Sequence, residues 1–313
     1  MDDSPAPTKT SERPFFVVGC PRSGTTLLRV ILDGHPRLSI PPESHFVVGL
    51  SGRRLAGNVT VGDILDHPQL QEWDLDGGTV RAAVERSRPN GYPELVRAVF
   101  DCYAGSQGKA RWGDKTPGYV SHIGRLLRLF PEAQFVHIIR DGREVSASLS
   151  EQTWGPRRPA VGAFWWRRKV AAGRRAGARL PVDQYLELRL EDLINEPEAS
   201  VRRLCAFLGE RFEPAMLDHP SRAARMFADD DTVTRQVRKP ITAGLRDWRA
   251  GVGERDQRAI EALCHRQLRR LGYGGSRWSP AGAAYGWAAV LGHAVRNVPA
   301  ALRARLRPAR RQY

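Results

Sequence analysis

Short uninterrupted apolar runs alternate along this chain with longer stretches whose apolar positions recur every three or four residues. Phe15, Phe16, Val17 and Val18 form such a run, ending in Gly19. A strand has this character when both of its faces are covered. Residues 134–139 (Gln-Phe-Val-His-Ile-Ile) predict a second buried strand that stops at Arg140, and the alternation over 186–190 predicts a third. Helical periodicity occupies 26–33, 123–130, 143–150, 199–208 and 255–271. Gly34 with Pro36 stops the first of these, and Gly209 and Gly272 cap the last two. Strands alternating with helices imply the α/β class, with a central parallel sheet flanked by helices. Residues 50–108 break the rhythm with Gly-rich turns, and predict a mostly helical excursion with helices over 80–87 and 94–103. The domain layout expected is a disordered lead-in over 1–13, a main domain over 14–275 and a basic helical tail over 276–313.

Composition adds a constraint on partners. With 49 Lys and Arg against 34 Asp and Glu, the formal charge is +15, which favours something anionic. Much of the excess is scattered arginine, equally consistent with a solvated basic surface, so charge does not choose the partner. Cys20, Cys102, Cys205 and Cys264 are far apart and form no CxxC pair, which argues against a disulfide framework or a zinc site and favours a reducing cytosol. The first residues carry Pro5 and Pro7 and no apolar signal run, so the expected location is cytoplasmic.

The candidate chemistry starts at Gly19, Cys20, Pro21, Arg22, Ser23, Gly24, Thr25 and Thr26. Here a G-x-x-x-x-G spacing lies between a predicted strand and a predicted helix. Successive backbone N–H groups then face one concavity, and the helix N-terminus adds partial positive charge, so an anion binds there. Nucleotide-triphosphate loops continue with Lys, but Thr25 occupies that place and the loop's cation is Arg22. A planar guanidinium suits a group with several oxygens, because it donates parallel hydrogen bonds.

At this string the sequence resembles the PAPS-dependent sulfotransferases, closer to the tyrosylprotein and glycan types than to the cytosolic type. The residues Pro21 to Thr26 look like that family's 5′-phosphosulfate loop. A second match runs from His137 through Arg140 to Ser148, and resembles the 3′-phosphate segment: an Arg at a strand end with a Ser eight residues on. Asp141 caps the helix between them. Trp112 to Pro117 resembles the segment that supplies a catalytic-site lysine, here Lys115, and Arg238 with Lys239 resembles a late basic loop on the 3′-phosphate. Leu190 stands where the family usually has an aromatic. The resemblance implies a P-loop-like sheet, 3′-phosphoadenylyl sulfate (PAPS) as co-substrate, no metal, and an acceptor pocket built by the 50–108 excursion.

Sulfuryl transfer, treated like phosphoryl transfer, needs positioning and fixed positive charge more than covalent chemistry. Arg22, Lys115 and the amides of Ser23, Gly24, Thr25 and Thr26 are the candidates for that charge. The acceptor must also lose a proton. The family's tyrosylprotein and glycan members place a Glu base where Glu43 falls, and His45 competes for the role. The acceptor stays open among carbohydrate, lipid, peptide and natural-product hydroxyls or amines. Two other readings remain, a P-loop nucleotide kinase or NTPase and a non-enzymatic polyanion binder, although no nucleic-acid module is present. The tail is uncharged over 281–295 and arginine-rich beyond. It fits either an interfacial helix giving peripheral contact with the inner membrane face, or a helix docked on the protein with a frayed end.

Overall fold

Strand β1 (Phe15–Gly19) is apolar throughout because it separates two cores. Phe16 and Val18 point into one, and Phe15 and Val17 into the other. The computed structural model describes residues 13–52, 59–227, 237–238 and 247–306, with side chains up to 296. Five parallel strands form the sheet in the order β2-β3-β1-β4-β5, adding β2 (Leu38–Ser39), β3 (Arg111–Lys115), β4 (Gln134–Ile139) and β5 (Tyr185–Arg189). On the Phe16 side the core is aromatic. Phe16 stacks on Phe135 with centroids 5.5 Å apart, and Trp112 lies 4.4 Å from Phe100, which meets Trp73 edge-on at 4.8 Å.

Sequence pattern predicts three of these strands. β3 escapes because three of its five residues are charged, yet all five are buried. Arg111 shows how that is tolerated. Its guanidinium donates to the carbonyls of Arg13 and Leu208 at 2.8 and 2.6 Å, to Gln134 Oε1 at 2.7 Å and to Glu210 at 3.1 Å. The third predicted strand sits one residue earlier than expected, at Tyr185–Arg189, and Leu190 begins a helix instead.

Helix α1 (Thr25–Asp33) follows β1 and ends at Gly34. The excursion over 50–108 is helical where described: short turns at Val61–Leu65 and Pro68–Trp73, then α2 (Gly77–Ser87) and α3 (Tyr92–Ser106). Both long helices begin earlier than their periodicity. Asp76 caps α2 by accepting from Thr79 N at 2.7 Å, and Pro93 sits in the first turn of α3. Next come α4 (Ile123–Leu129), α5 (Gly142–Ser150), α6 (Pro159–Gly177), α7 (Leu190–Asn195), α8 (Pro197–Leu208), α9 (His219–Met226), α10 (Glu254–Arg270) and α11 (Pro280–Leu306). α6 has no clear sequence signature because its buried stripe is made of Ala160, Ala163, Trp166 and Val170 among arginines.

By its contacts the chain divides into two units, Met1–Ile139 with Val170–Gly244, and Arg140–Lys169 with Leu245–Tyr313. The first holds the sheet. Arg13 already belongs to its folded part, bonding Asp183 at 2.7 Å, while the rest of the expected lead-in lies outside the described residues. In the second unit, Asp141 caps α5 by accepting from Arg143 N at 2.8 Å, as the sequence predicts. α11 packs on α10 at glycine: a Cβ added at Gly282 would come within 2.5 Å of the Arg258 carbonyl oxygen.

Candidate active site

The loop between β1 and α1 turns from strand to helix, as the sequence predicts. Ser23 N donates to Cys20 O at 3.2 Å, and both Arg22 (φ 72°) and Gly24 (φ 90°) are left-handed. For a residue with a Cβ this conformation costs about 1–2 kcal/mol. Gly24 has a second reason to be glycine: a Cβ there would lie 2.6 Å from a methyl of Leu190. Leu190 thus packs under the loop from the start of α7. Thr25 opens α1, so the first-turn amides, which lack partners within the helix, face the loop's end. The Ser23 hydroxyl is buried and has no hydrogen-bond partner. Leaving such a group unsatisfied costs about 1–3 kcal/mol, and an anionic oxygen in the loop would accept its proton. That is the fit a bound phosphosulfate requires.

Beside the loop stands a cluster built on the end of β3. Parallel pairing sets Lys115 against Val17, two residues before Gly19 ends β1. Lys115 Nζ donates to Glu43 Oε1 at 2.6 Å, and His45 Nε2 lies 3.1 Å from Glu43 Oε2. The sequence presents Glu43 and His45 as rival bases, whereas folding makes them one hydrogen-bonded pair with Lys115 as third member. Burial pushes the Glu43 carboxyl upward, but the His45 hydrogen bond and the Lys115 charge outweigh it and hold it at about 2. The hydrogen bond to Glu43 in turn raises His45 above its ordinary value. Burial pulls Lys115 down, and Glu43 opposes that.

Residues given no role of their own in the sequence reading hold this cluster in place. Ser44, between the pair, receives the most support: its amide donates to Thr116 Oγ1 at 3.1 Å, and its hydroxyl donates to Asp114 Oδ2 and meets Tyr119 OH at 3.0 Å. Burial pushes the Asp114 carboxyl up to about 6, against the hydrogen bonds from Ser44 and Thr116, and its Oδ1 has no partner. Arg29 is the other omission. It lies on the buried stripe of α1 with Thr25, Leu28 and Leu32, and donates from Nε to Ile40 O at 3.0 Å, just ahead of Glu43. A lone cation on an apolar helical stripe was the signal available for it.

The remaining predicted residues are distributed as follows. Arg140 opens the second unit and donates to Glu144 from Nε at 2.9 Å, and the Trp166 indole donates to its carbonyl at 3.0 Å. Ser148 follows at four-residue spacing from Glu144, on one face of α5. Arg238 donates to the Phe227 carbonyl, and Lys239 lies outside the described residues. Among the described residues no group of three or more His, Cys, Asp or Glu side chains is placed to hold a metal.

A family model described as "Sulfotransferase family" matches residues 14–214, which include the loop, the Glu43–Lys115 cluster and α5. Protein-tyrosine sulfotransferase A of Caenorhabditis elegans is 26% identical over 275 residues, covering 83% of this chain and 67% of that protein. Nodulation protein NoeE of Sinorhizobium fredii is 32% identical over 146 residues, 45% of this chain, and the match spans only 31% of NoeE. Among solved structures, the sulfotransferase domain of the Synechococcus PCC 7002 olefin synthase superposes with a TM-score of 0.60 at 26% identity, over 84% of this chain and 96% of that one. Loop, strand-end lysine and family match thus agree, and the chain belongs to the sulfotransferase family.

Proposed function

We propose that the protein transfers a sulfuryl group from PAPS to a hydroxyl or amine of an acceptor. The observation that carries this is the placement of Lys115, already bonded to Glu43, beside β1 at the sheet edge where the phosphate loop begins. An open α/β sheet binds its ligands at the carboxyl ends of its strands. In this reading the loop amides, Arg22 and the Ser23 hydroxyl hold the 5′-phosphosulfate, with Thr25 and Thr26 at the helix start. Arg140, Ser148, Arg238 and Lys239 serve the 3′-phosphate.

The chemistry then follows from charge. The acceptor oxygen forms a bond to sulfur as the bond from sulfur to the bridging phosphate oxygen breaks. Arg22 and Lys115 meet the negative charge growing on that oxygen. Glu43 takes the acceptor's proton. At a pKa of about 2 it is a poor base while Lys115 and His45 both bind it. As Lys115 turns its charge to the leaving oxygen, Glu43 loses a cation and gains basicity. The ion pair thus keeps both groups charged and oriented before the donor arrives.

Isothermal titration with 3′-phosphoadenosine 5′-phosphate (PAP) and, separately, with ATP and magnesium tests the donor. Micromolar PAP binding with no ATP binding is the expected result, and ATP binding without PAP binding overturns the reading. Labelled PAPS incubated with candidate carbohydrates, lipids and tyrosine peptides then selects the acceptor. A tyrosine-containing peptide merits first place in that series, since a protein-tyrosine sulfotransferase aligns over 83% of the chain.

A further inference from the structure

The large apolar side chains left exposed are not scattered. Of the six among the described residues, Trp278, Trp287, Leu291 and Val295 all fall between 278 and 295, in or just before α11. α11 buries Gly282, Gly286, Ala289 and Val290, and packs against α10. Its opposite face presents Ala281, Ala284, Trp287, Ala288, Leu291, Ala294 and Val295 to solvent, without one polar side chain. Trp287, Leu291 and Val295 follow at four-residue intervals and are 40, 63 and 72% exposed. Trp287 meets Phe164 edge-on at one border, with ring centroids 5.6 Å apart, but a helix docked on its protein normally shows water a polar face, and the stripe around Leu291 and Val295 is left exposed among the described residues.

Charge indicates what that partner is. From Trp278 to Val295 the chain has no charged residue, and from Arg296 onward it has six arginines and no acidic residue. The near end of the stripe is basic too: the Arg167 guanidinium lies 5.0 Å from the Trp287 ring centre, and Arg158 donates to Tyr285 OH at 2.7 Å. An apolar strip with indole at its border and arginines at both ends matches the boundary between acyl chains and anionic headgroups. No helix among the described residues is long and apolar enough to cross a membrane, which suits a helix lying in the interface plane. A protein partner would leave the one-signed flank unexplained unless it were itself strongly acidic.

We infer that the exposed face of α11 docks the protein on an anionic phospholipid bilayer, with Trp287, Leu291 and Val295 entering the acyl boundary and the flanking arginines meeting the headgroups. The inference is independent of the donor or acceptor assigned above. Its test is flotation of the full chain with vesicles of phosphatidylcholine alone and of equal parts phosphatidylcholine and phosphatidylglycerol. The wild-type chain should float with the mixed vesicles, much less with the neutral ones, and lose binding as salt rises. The double variant L291E/V295E, altered only at exposed positions, should keep the wild-type melting temperature and reduce vesicle binding roughly tenfold or more. Three results would overturn the inference: no flotation of the wild type, equal flotation of wild type and variant, or a self-association that the variant abolishes without any vesicle binding. If L291E/V295E melts lower, Leu291→Gln alone provides the same comparison.

Discussion

Glu43 is bonded by both Lys115 and His45, and in the proposed reaction its basicity depends on Lys115 turning away. With Lys115 and His45 both bound, its carboxylate is stable and weakly basic, so under the proposed function proton removal from the acceptor is coupled to charge appearing on the donor. Glu43→Gln keeps the size and loses the base. It should lower kcat at least tenfold, within the ~10²–10⁴ that a positioned base contributes, and leave PAP affinity within threefold; equal kcat would reject the role. Asp114 sits behind this pair with a raised pKa of about 6, so the sign of its pH effect is fixed. A carboxyl whose folded pKa lies above its unfolded value adds stability at low pH and loses it as pH rises through about 6. The wild-type melting temperature should therefore fall between pH 5 and pH 7 by an increment, on the order of a few degrees, that Asp114→Asn removes. The same slope in both proteins would mean that Asp114 ionises as an ordinary aspartate.

At the scale of elements, β3 explains both the strength and the opacity of this fold. Its composition argues against a strand, yet it lies between β2 and β1 and carries Asp114 and Lys115 to the site. Arg111, two percent exposed at its side chain, makes that burial tolerable by bonding four groups, including the equally buried Glu210. Arg111→Met removes one partner of a buried pair, leaving Glu210 with Arg37 alone and taking this donor from the Arg13 and Leu208 carbonyls and from Gln134. It should cost about 3–5 kcal/mol of unfolding free energy, measured by urea denaturation; a loss under 1 kcal/mol would show that water replaces the guanidinium freely. The phosphate loop shows the converse. Strand, turn and helix are each locally encoded there, which is why their order is legible in the sequence.

For the whole molecule, the proposed donor has two phosphate ends that can be tested separately. Arg140 follows the end of β4 and is assigned to the 3′-phosphate under that proposal. Arg140→Ala should weaken PAP at least tenfold but leave adenosine 5′-phosphosulfate, which has no 3′-phosphate, within threefold; a parallel loss for both ligands would remove Arg140 from the 3′-phosphate. The class of the fold, the loop, the Arg140–Ser148 spacing and the α5 cap could all be named before any coordinates, because each depends on neighbours within about ten residues. A continuous apolar strand, a glycine turn and a capping aspartate carry their meaning locally. That Glu43, His45 and Lys115 bond to one another, that Ser44 braces against Asp114, that β3 is a strand, and which face of α11 stays bare could not be named in advance. Each joins side chains remote in sequence, or concerns which side of a helix another helix covers, and pairing and burial of that kind exist only once the chain has packed.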